Sequence, residues 1–423
     1  MKLIKKNKML LFILPYILFS FLPVAYVYNF RINTPVGYIS PTILLIPIFV
    51  IFLLFRHSKE NKFDIFIKYK RILSLIYVFI FLDLFSALLN GAEFNSLRLV
   101  YTNAMLTLGI ITLIFLASSR KIDVIKLIKM SIYISTIVAA IGLLEFLFGF
   151  QPYQKYYLSN EFINFTYNNV SAIQGYLRRI VSTIGNPLIL STYLALTTPF
   201  ILYLKNIDSR KLKWNIIFAI HALAILLTMS RTGIVLLIIV VLINNFTLRM
   251  SIKKNAKNFF AFLIIFISFD RILNHFSLKD KFLSRLVFES SVGSLTHRVH
   301  SFTVVDDILG NNPLMGLSSG SLARLLPEFG YLEIATLDNV YLKVLIENGL
   351  IGLVAFVSIH FALFIYAMKL HSPLRTIAIQ LLLILVISGL SFQTVNFEPV
   401  WGSFWYLISL VFIHSQNKEK FIQ

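Results

Sequence analysis

Residues 224–243 read AILLTMSRTGIVLLIIVVLI. Two apolar runs meet across a short joint, and Arg231 is the only charge in the stretch. The flanking segments, 214–229 and 232–248, are uncharged and lack the strict alternation of a half-buried strand. Runs of this kind read as helices that pair all their backbone amides internally, which is the condition for crossing a bilayer. The joint is too tight to clear the membrane, so Arg231 lies at its edge or within it. An ionisable residue at that depth must face protein, water or an anion, and it is a functional candidate. Snorkelling of its long side chain to the surface is the plainer alternative.

The pattern recurs along the chain. At 57% hydrophobic and 15% aromatic residues, the sequence is too apolar for an ordinary soluble domain. Spans are expected at 9–28, 38–55, 72–89, 99–117, 130–150, 186–204, 214–229, 232–248, 258–274, 350–368, 374–392 and 399–414. They predict an all-α integral membrane protein of about 12 transmembrane helices, with residues 1–423 forming one polytopic domain. The N-terminal MKLIKKNKMLLFILPYILFSFLPVAYVY has the charged start of a signal peptide. Its apolar part is too long and no small-x-small site ends it, so it reads as a first anchor.

The net charge of +20 has a topological explanation. With the N-terminus inside, the inner loops, their short flanks and the tail hold 26 of the 39 Lys and Arg but only five of the 19 acids. This asymmetry predicts that both termini are cytoplasmic, and it leaves no excess charge that would call for nucleic acid. Zero cysteines exclude a disulfide framework and thiolate chemistry. Two outer loops are long, 151–185 and 275–349. The second, between the ninth and tenth spans, is the only one large enough to act as an extramembrane subdomain.

Candidate residues gather on that predicted outer face. LRRIVSTIGNP (177–187) pairs Arg178 and Arg179 ahead of Asn186-Pro187, a good helix start because proline in the first turn loses no needed hydrogen bond. Taken alone, the two arginines read as headgroup contacts. THRVHSFTVVDDILGNNPLMGLSSGS (296–321) carries His297, Arg298 and His300, then Asp306-Asp307 and a glycine-rich turn. His297-x-x-His300 lacks a specific zinc or calcium spacing, so no metal site is expected. LMGLSSGS has no Gly-Lys-Ser/Thr ending, and reads as a close-packed turn rather than a phosphate loop. TLDNVYLKVLIENGLIG (336–352) places Asp338 and Asn339 where the chain re-enters the membrane. Locally, helix capping explains both. Taken together, several arginines and one carboxylate at a membrane surface suit a lipid-linked diphosphate. Arginine's planar fork binds phosphate oxygens in pairs, and a carboxylate can accept a proton from an attacking hydroxyl.

At these residues the chain resembles the O-antigen ligase and O-antigen polymerase superfamily. RIVSTIGNP is similar to that superfamily's Arg-x-x-Gly-Thr-x-x-Asn-Pro, with Ser182 in place of the glycine. TMSRTG is similar to Thr-x-Ser-Arg-x-Gly through Thr228, Ser230, Arg231 and Gly233. The 298–320 region resembles Arg, an amphipathic helix, then Asn-Pro-Leu-x-Gly-x-Gly-x-Gly, with Ser318 where a glycine is usual. DNVYLKVLIENGLIG resembles His-Asn-x-Tyr-Leu followed by Glu-x-Gly-Leu-x-Gly, and Asp338 stands where the ligases carry histidine.

The resemblance implies a metal-independent membrane glycosyltransferase that needs no cofactor. Its donor would be glycan on undecaprenyl diphosphate, and its place the bacterial cytoplasmic membrane with the active face outward. The aspartate favours the polymerase branch, acting on O-antigen, capsule or exopolysaccharide repeats. Ligation of glycan to lipid A core and translocation of lipid-linked oligosaccharide are the alternatives, with a non-catalytic scaffold behind them. The expected catalytic residues are Asp338, Arg298 and Arg231. Arg179, Arg178, His300, Asn339 and Tyr341 are expected to bind substrate, and the expected partners are membrane lipid, a chain-length regulator and a flippase.

Overall fold

In the computed structural model, the residues described are 2–21, 32–34, 37–57, 64–91, 93–119, 123–149, 172–173, 177–247, 271, 305, 307–310, 312–322, 325–326 and 337–422. The architecture is helical. Helix α1 is Lys2–Phe21, α2 Pro41–His57 and α3 Lys70–Leu89. Helix α4, Phe94–Ala104, passes through a π turn at Met105–Gly109 into α5, Ile110–Ser119. Then come α6 Val124–Phe148, α7 Pro187–Ile207, α8 Lys211–Leu227 and α9 Arg231–Thr247. The last three are α10 Val340–Met368, α11 Leu374–Gly389 and α12 Glu398–Ile422. Strand pairing is limited, among the described residues, to two small antiparallel ribbons, Ile32–Thr34 with Gly37–Ile39 and Ala172–Ile173 with Leu177–Arg178.

Among the described residues, five stretches are long and apolar enough to cross a membrane: Lys70–Leu89, Phe94–Leu116, Val124–Phe148, Pro187–Ile207 and Val340–Met368. The chain therefore has the helices of a multi-pass membrane protein. Helices stand at eleven of the twelve expected spans; the span expected at 258–274 falls, apart from Arg271, outside the described residues. The sequence places the tenth span at 350–368, but its helix starts ten residues earlier, at Val340.

Helix α7 is the centre of the bundle: 94% of its apolar window is buried, against 39% for α3 and α10. That burial explains its hydroxyl groups. Thr197 and Thr198 donate to the carbonyl of Leu194 (both 2.9 Å), which satisfies polar groups that lipid would leave unpaired. The outer helices turn large apolar residues such as Phe81, Val354 and Phe361 outward.

Helix directions follow from short connections and contacts. α7 and α9 run parallel, because α8 returns between them, and Gly233 near the start of α9 lies against Ser191 near the start of α7. α11 is tied to α9 at mid-length by Gln380 Nε2, which donates to the Val240 carbonyl at 2.7 Å. Its end leads by a short connection to α12, whose Gly402 abuts Phe19 beside Ser20, and the Ser20 carbonyl accepts from Thr183 Oγ1 just ahead of α7. α11 is therefore antiparallel to α9. From that bond the start of α9 and the end of α11 are each nine residues away, so they lie at one level, roughly 13 Å along. At that end Gly389 of α11 abuts Val340 and Tyr341 of α10. The N-termini of α7, α9 and α10 thus share one end of the bundle.

Candidate active site

Three of the motifs stand at the shared end because each precedes a helix start. Asn186 caps α7, its Oδ1 accepting from the amides of Leu188 (2.9 Å) and Ile189 (3.4 Å), with Pro187 in the first turn. Ser230 caps α9: its Oγ accepts from the Gly233 amide at 3.1 Å. Asn339 caps α10, accepting from the amides of Tyr341 (2.9 Å) and Leu342 (3.3 Å). Capping at this last site thus belongs to Asn339 and not to Asp338, which sits one residue before the cap and is half-buried. Three positive helix ends at one end of the bundle favour an anion there.

The motifs also interlock in pairs. Arg179 is buried, and its Nε donates to the Thr228 carbonyl at 2.7 Å, in the joint just before Arg231. It is not a headgroup contact. The Glu145 carboxylate of α6 accepts from the amides of Val181 (2.9 Å) and Ser182 (2.7 Å) and so anchors the same segment. Arg231 itself is the first residue of α9 and half-buried, and no ion pair among the described residues involves it. A cation at a helix N-terminus opposes the dipole, so this arrangement is suited to an anion that satisfies both.

The second pair is the 312–320 turn and α10. The backbone of α10 breaks at Gly349 (φ 68°, ψ −173°), which separates a half-helix, 340–348, from the longer remainder. The turn caps both broken ends. Amides of Leu317 and Ser318 donate to the carbonyls of Ile346 (2.9 Å) and Glu347 (2.8 Å), while those of Leu350 and Ile351 donate to Pro313 (2.9 Å) and Leu314 (3.2 Å). Backbone meets backbone so closely that a Cβ on Gly316 would lie 2.4 Å from the Gly349 nitrogen. This is the close-packed turn expected from LMGLSSGS.

Both departures from the motif glycines fall on left-handed backbone: Ser182 has φ 51° and Ser318 φ 81°. Only glycine adopts that region without a steric cost. Each serine offsets part of the cost with a buried hydrogen bond, Ser182 Oγ to the Val138 carbonyl (2.6 Å) and Ser318 Oγ to Ser96 Oγ (2.7 Å).

Other expected site residues are placed unequally. Tyr341 packs its ring near Phe356, and its hydroxyl donates to the Val386 carbonyl at 3.4 Å. Arg178 lies in the second ribbon. Arg298 and His300 lie outside the described residues. Sequence reasoning missed a polar stripe on α3: Asp83, Ser86 and Asn90, spaced three and four apart, face the 316–319 turn and the break in α10. It also missed the buried pair of Lys343 Nζ and Glu347 Oε2 at 2.6 Å. The readable signal was the spacing of Asp83, Ser86 and Asn90 within an apolar span.

The fold and this end together define a class: a helical multi-pass membrane protein whose polar centre lies where several helices begin. Residues 216–357 match the family model described as O-antigen ligase. The match covers the motifs around Arg231, the 312–320 turn and Asp338, while the Arg179 segment lies before it. No curated protein matches the chain.

Proposed function

We propose that the chain is a polysaccharide repeat-unit polymerase, an integral-membrane glycosyltransferase working at the outer face of the cytoplasmic membrane. The donor is a growing glycan on undecaprenyl diphosphate, and the acceptor is a sugar hydroxyl of an incoming lipid-linked repeat. The observation that carries this reading is the meeting, at one end of the bundle, of a half-buried arginine at a helix start and a carboxylate just outside another.

In the transfer, the acceptor oxygen forms a bond to the anomeric carbon as the bond from that carbon to the diphosphate oxygen breaks. The diphosphate leaves with the electron pair, and the acceptor proton passes to Asp338. Arg231 and Arg298 stabilise the charge that develops on the leaving group, which is electrostatic catalysis by fixed donors. His300 is the second candidate base. Arg179 acts through the joint that presents Arg231, and Asn339 and Tyr341 act through the placement of Asp338. Arg178, on the same segment as Arg179, contributes to binding the second lipid-linked glycan. A chain-length regulator and a flippase are the partners such an activity calls for.

Asp338→Asn tests the base. Purified protein with this change is expected to lose polymerisation of defined lipid-linked repeats; a wild-type rate removes Asp338 from the role. Ligation to lipid A core is the second reading, favoured by the description of the matching family. Deletion of the gene followed by gel analysis of surface glycan separates the two. Single-repeat glycan on the surface fits a polymerase, whereas full chains retained on the carrier lipid fit a ligase.

A further inference from the structure

Asp83 is 1% exposed on a helix long and apolar enough to cross a membrane. A carboxylate so placed is held only where protein supplies its partners. Those partners come from three separate elements. Oδ1 accepts from Ser319 Oγ at 2.6 Å, in the 312–320 turn, and from Asn348 Nδ2 at 2.8 Å, at the end of the half-helix. Oδ2 accepts from Asn103 Nδ2 of α4 at 3.4 Å. One turn along α3, Ser86 Oγ donates to the Glu347 carbonyl at 3.0 Å and accepts from the Ser318 amide at 3.2 Å. Asn90 Nδ2 then reaches the Gly316 carbonyl at 3.2 Å. The stripe therefore grips the turn and the half-helix together, and Asp83 is the member that bonds a side chain of each.

We propose that Asp83 is a positioning residue for the transfer reaction. It fixes the offset between the turn and the half-helix, and so sets where Asp338 stands relative to the 312–320 turn. This rests on the function proposed above. The half-helix is a rigid rod roughly 13 Å long, with Asn348 at one end and Asn339 at the other. Release of the Asn348 end tilts the rod and displaces Asp338, though Asp83 touches no substrate. Displacement of a reacting group by about 1 Å can lower a rate on the order of 100-fold.

The test uses the full chain in lipid nanodiscs with Asp83→Ala and Asp83→Asn. The asparagine keeps an oxygen for Ser319 and Asn348. Its amide can donate to Asn103 once that residue's own amide is turned, and Asn103 Oδ1 has no hydrogen-bond partner among the described residues. Asp83→Ala is expected to lower hydrogen-exchange protection in 312–322 and 340–351 while leaving 187–247 unchanged. With lipid-linked repeats as substrate, its kcat should fall on the order of 100-fold with KM changed much less, and Asp83→Asn should restore most of the rate. Wild-type turnover by Asp83→Ala overturns the proposal, as does deprotection spread evenly over all helices. Absence of transfer by the unsubstituted chain counts against the functional reading alone, and the exchange result then decides by itself whether Asp83 holds the two segments.

Discussion

Ser182 and Ser318 show how much one backbone angle asks of a side chain. Each occupies left-handed φ, where a residue bearing a Cβ is disfavoured by roughly 1–2 kcal/mol, and each offsets that cost with a hydrogen bond. Alanine would keep the Cβ and lose the bond; glycine would lose the bond and relieve the angle. Ser182→Ala and Ser318→Ala should therefore lower the thermal midpoint more than the corresponding glycine variants, by about 1–2 kcal/mol when measured as stability. An equal loss for alanine and glycine would remove φ as the reason for the motif glycines. The two arginines should likewise separate by readout. Arg231→Gln is expected to weaken binding of an undecaprenyl diphosphate analogue while leaving the melting curve close to wild type. Arg179→Gln should lower stability by about 1.5–3 kcal/mol, since it strands a buried carbonyl in the joint.

Among the elements, the broken helix carries the most consequence. Gly349 has positive φ, and a Cβ there would lie 2.2 Å from the Leu314 oxygen, so Gly349→Ala must push the turn away. The expected outcome is faster exchange at the amides of Leu317, Ser318, Leu350 and Ile351, read by mass spectrometry, with the α7–α9 region unaffected. Lys343→Met should destabilise the half-helix by about 3–5 kcal/mol, because it leaves Glu347 as a buried charge without its ammonium partner. The sequence made the helices legible where apolar runs were long, and it made the turn legible through its glycines. It hid the half-helix, since Lys343, Glu347 and Asn348 look like loop residues until the stripe on α3 is seen to cover them. The contacts from Asp83 join residues 236 and 265 positions apart, and no local pattern specifies such a pairing. The capping rule found the right dipeptide and assigned both of its residues; the structure gives the cap to Asn339.

Across the whole molecule, charge separates the two ends. Far from the shared end, Asp208 accepts from the side chain and backbone of Arg210 and from Lys129 Nζ at 3.3 Å. The hydrogen bond from the Arg210 side chain is the chief reason that its carboxyl is held well below the ordinary range. A carboxylate whose folded pKa is depressed stabilises fully above the unfolded value, about 3.9, and less as pH falls through the folded one. The melting deficit of Asp208→Asn should accordingly be constant from neutral pH to about 5 and shrink below about 4. The absence of cysteine makes the expected topology directly readable. A cysteine at exposed Leu314 should react with an impermeant maleimide in intact cells, and one at exposed Ser209 only after permeabilisation. Reaction of both in intact cells would contradict opposite sides. The two interlocked pairs of motifs meet through α11, which packs on α9 along one side and on α10 along another. Its girth, about 10–12 Å, makes it a caliper whose jaws are the starts of α9 and α10. The turn-side jaw closes onto a glycine, Gly389, whose missing side chain lets Val340 and Tyr341 come as near as they do. Larger residues there would open the caliper, so in the proposed transfer one position on a helix without a charge of its own near that end would help fix how far the diphosphate stands from the hydroxyl it meets.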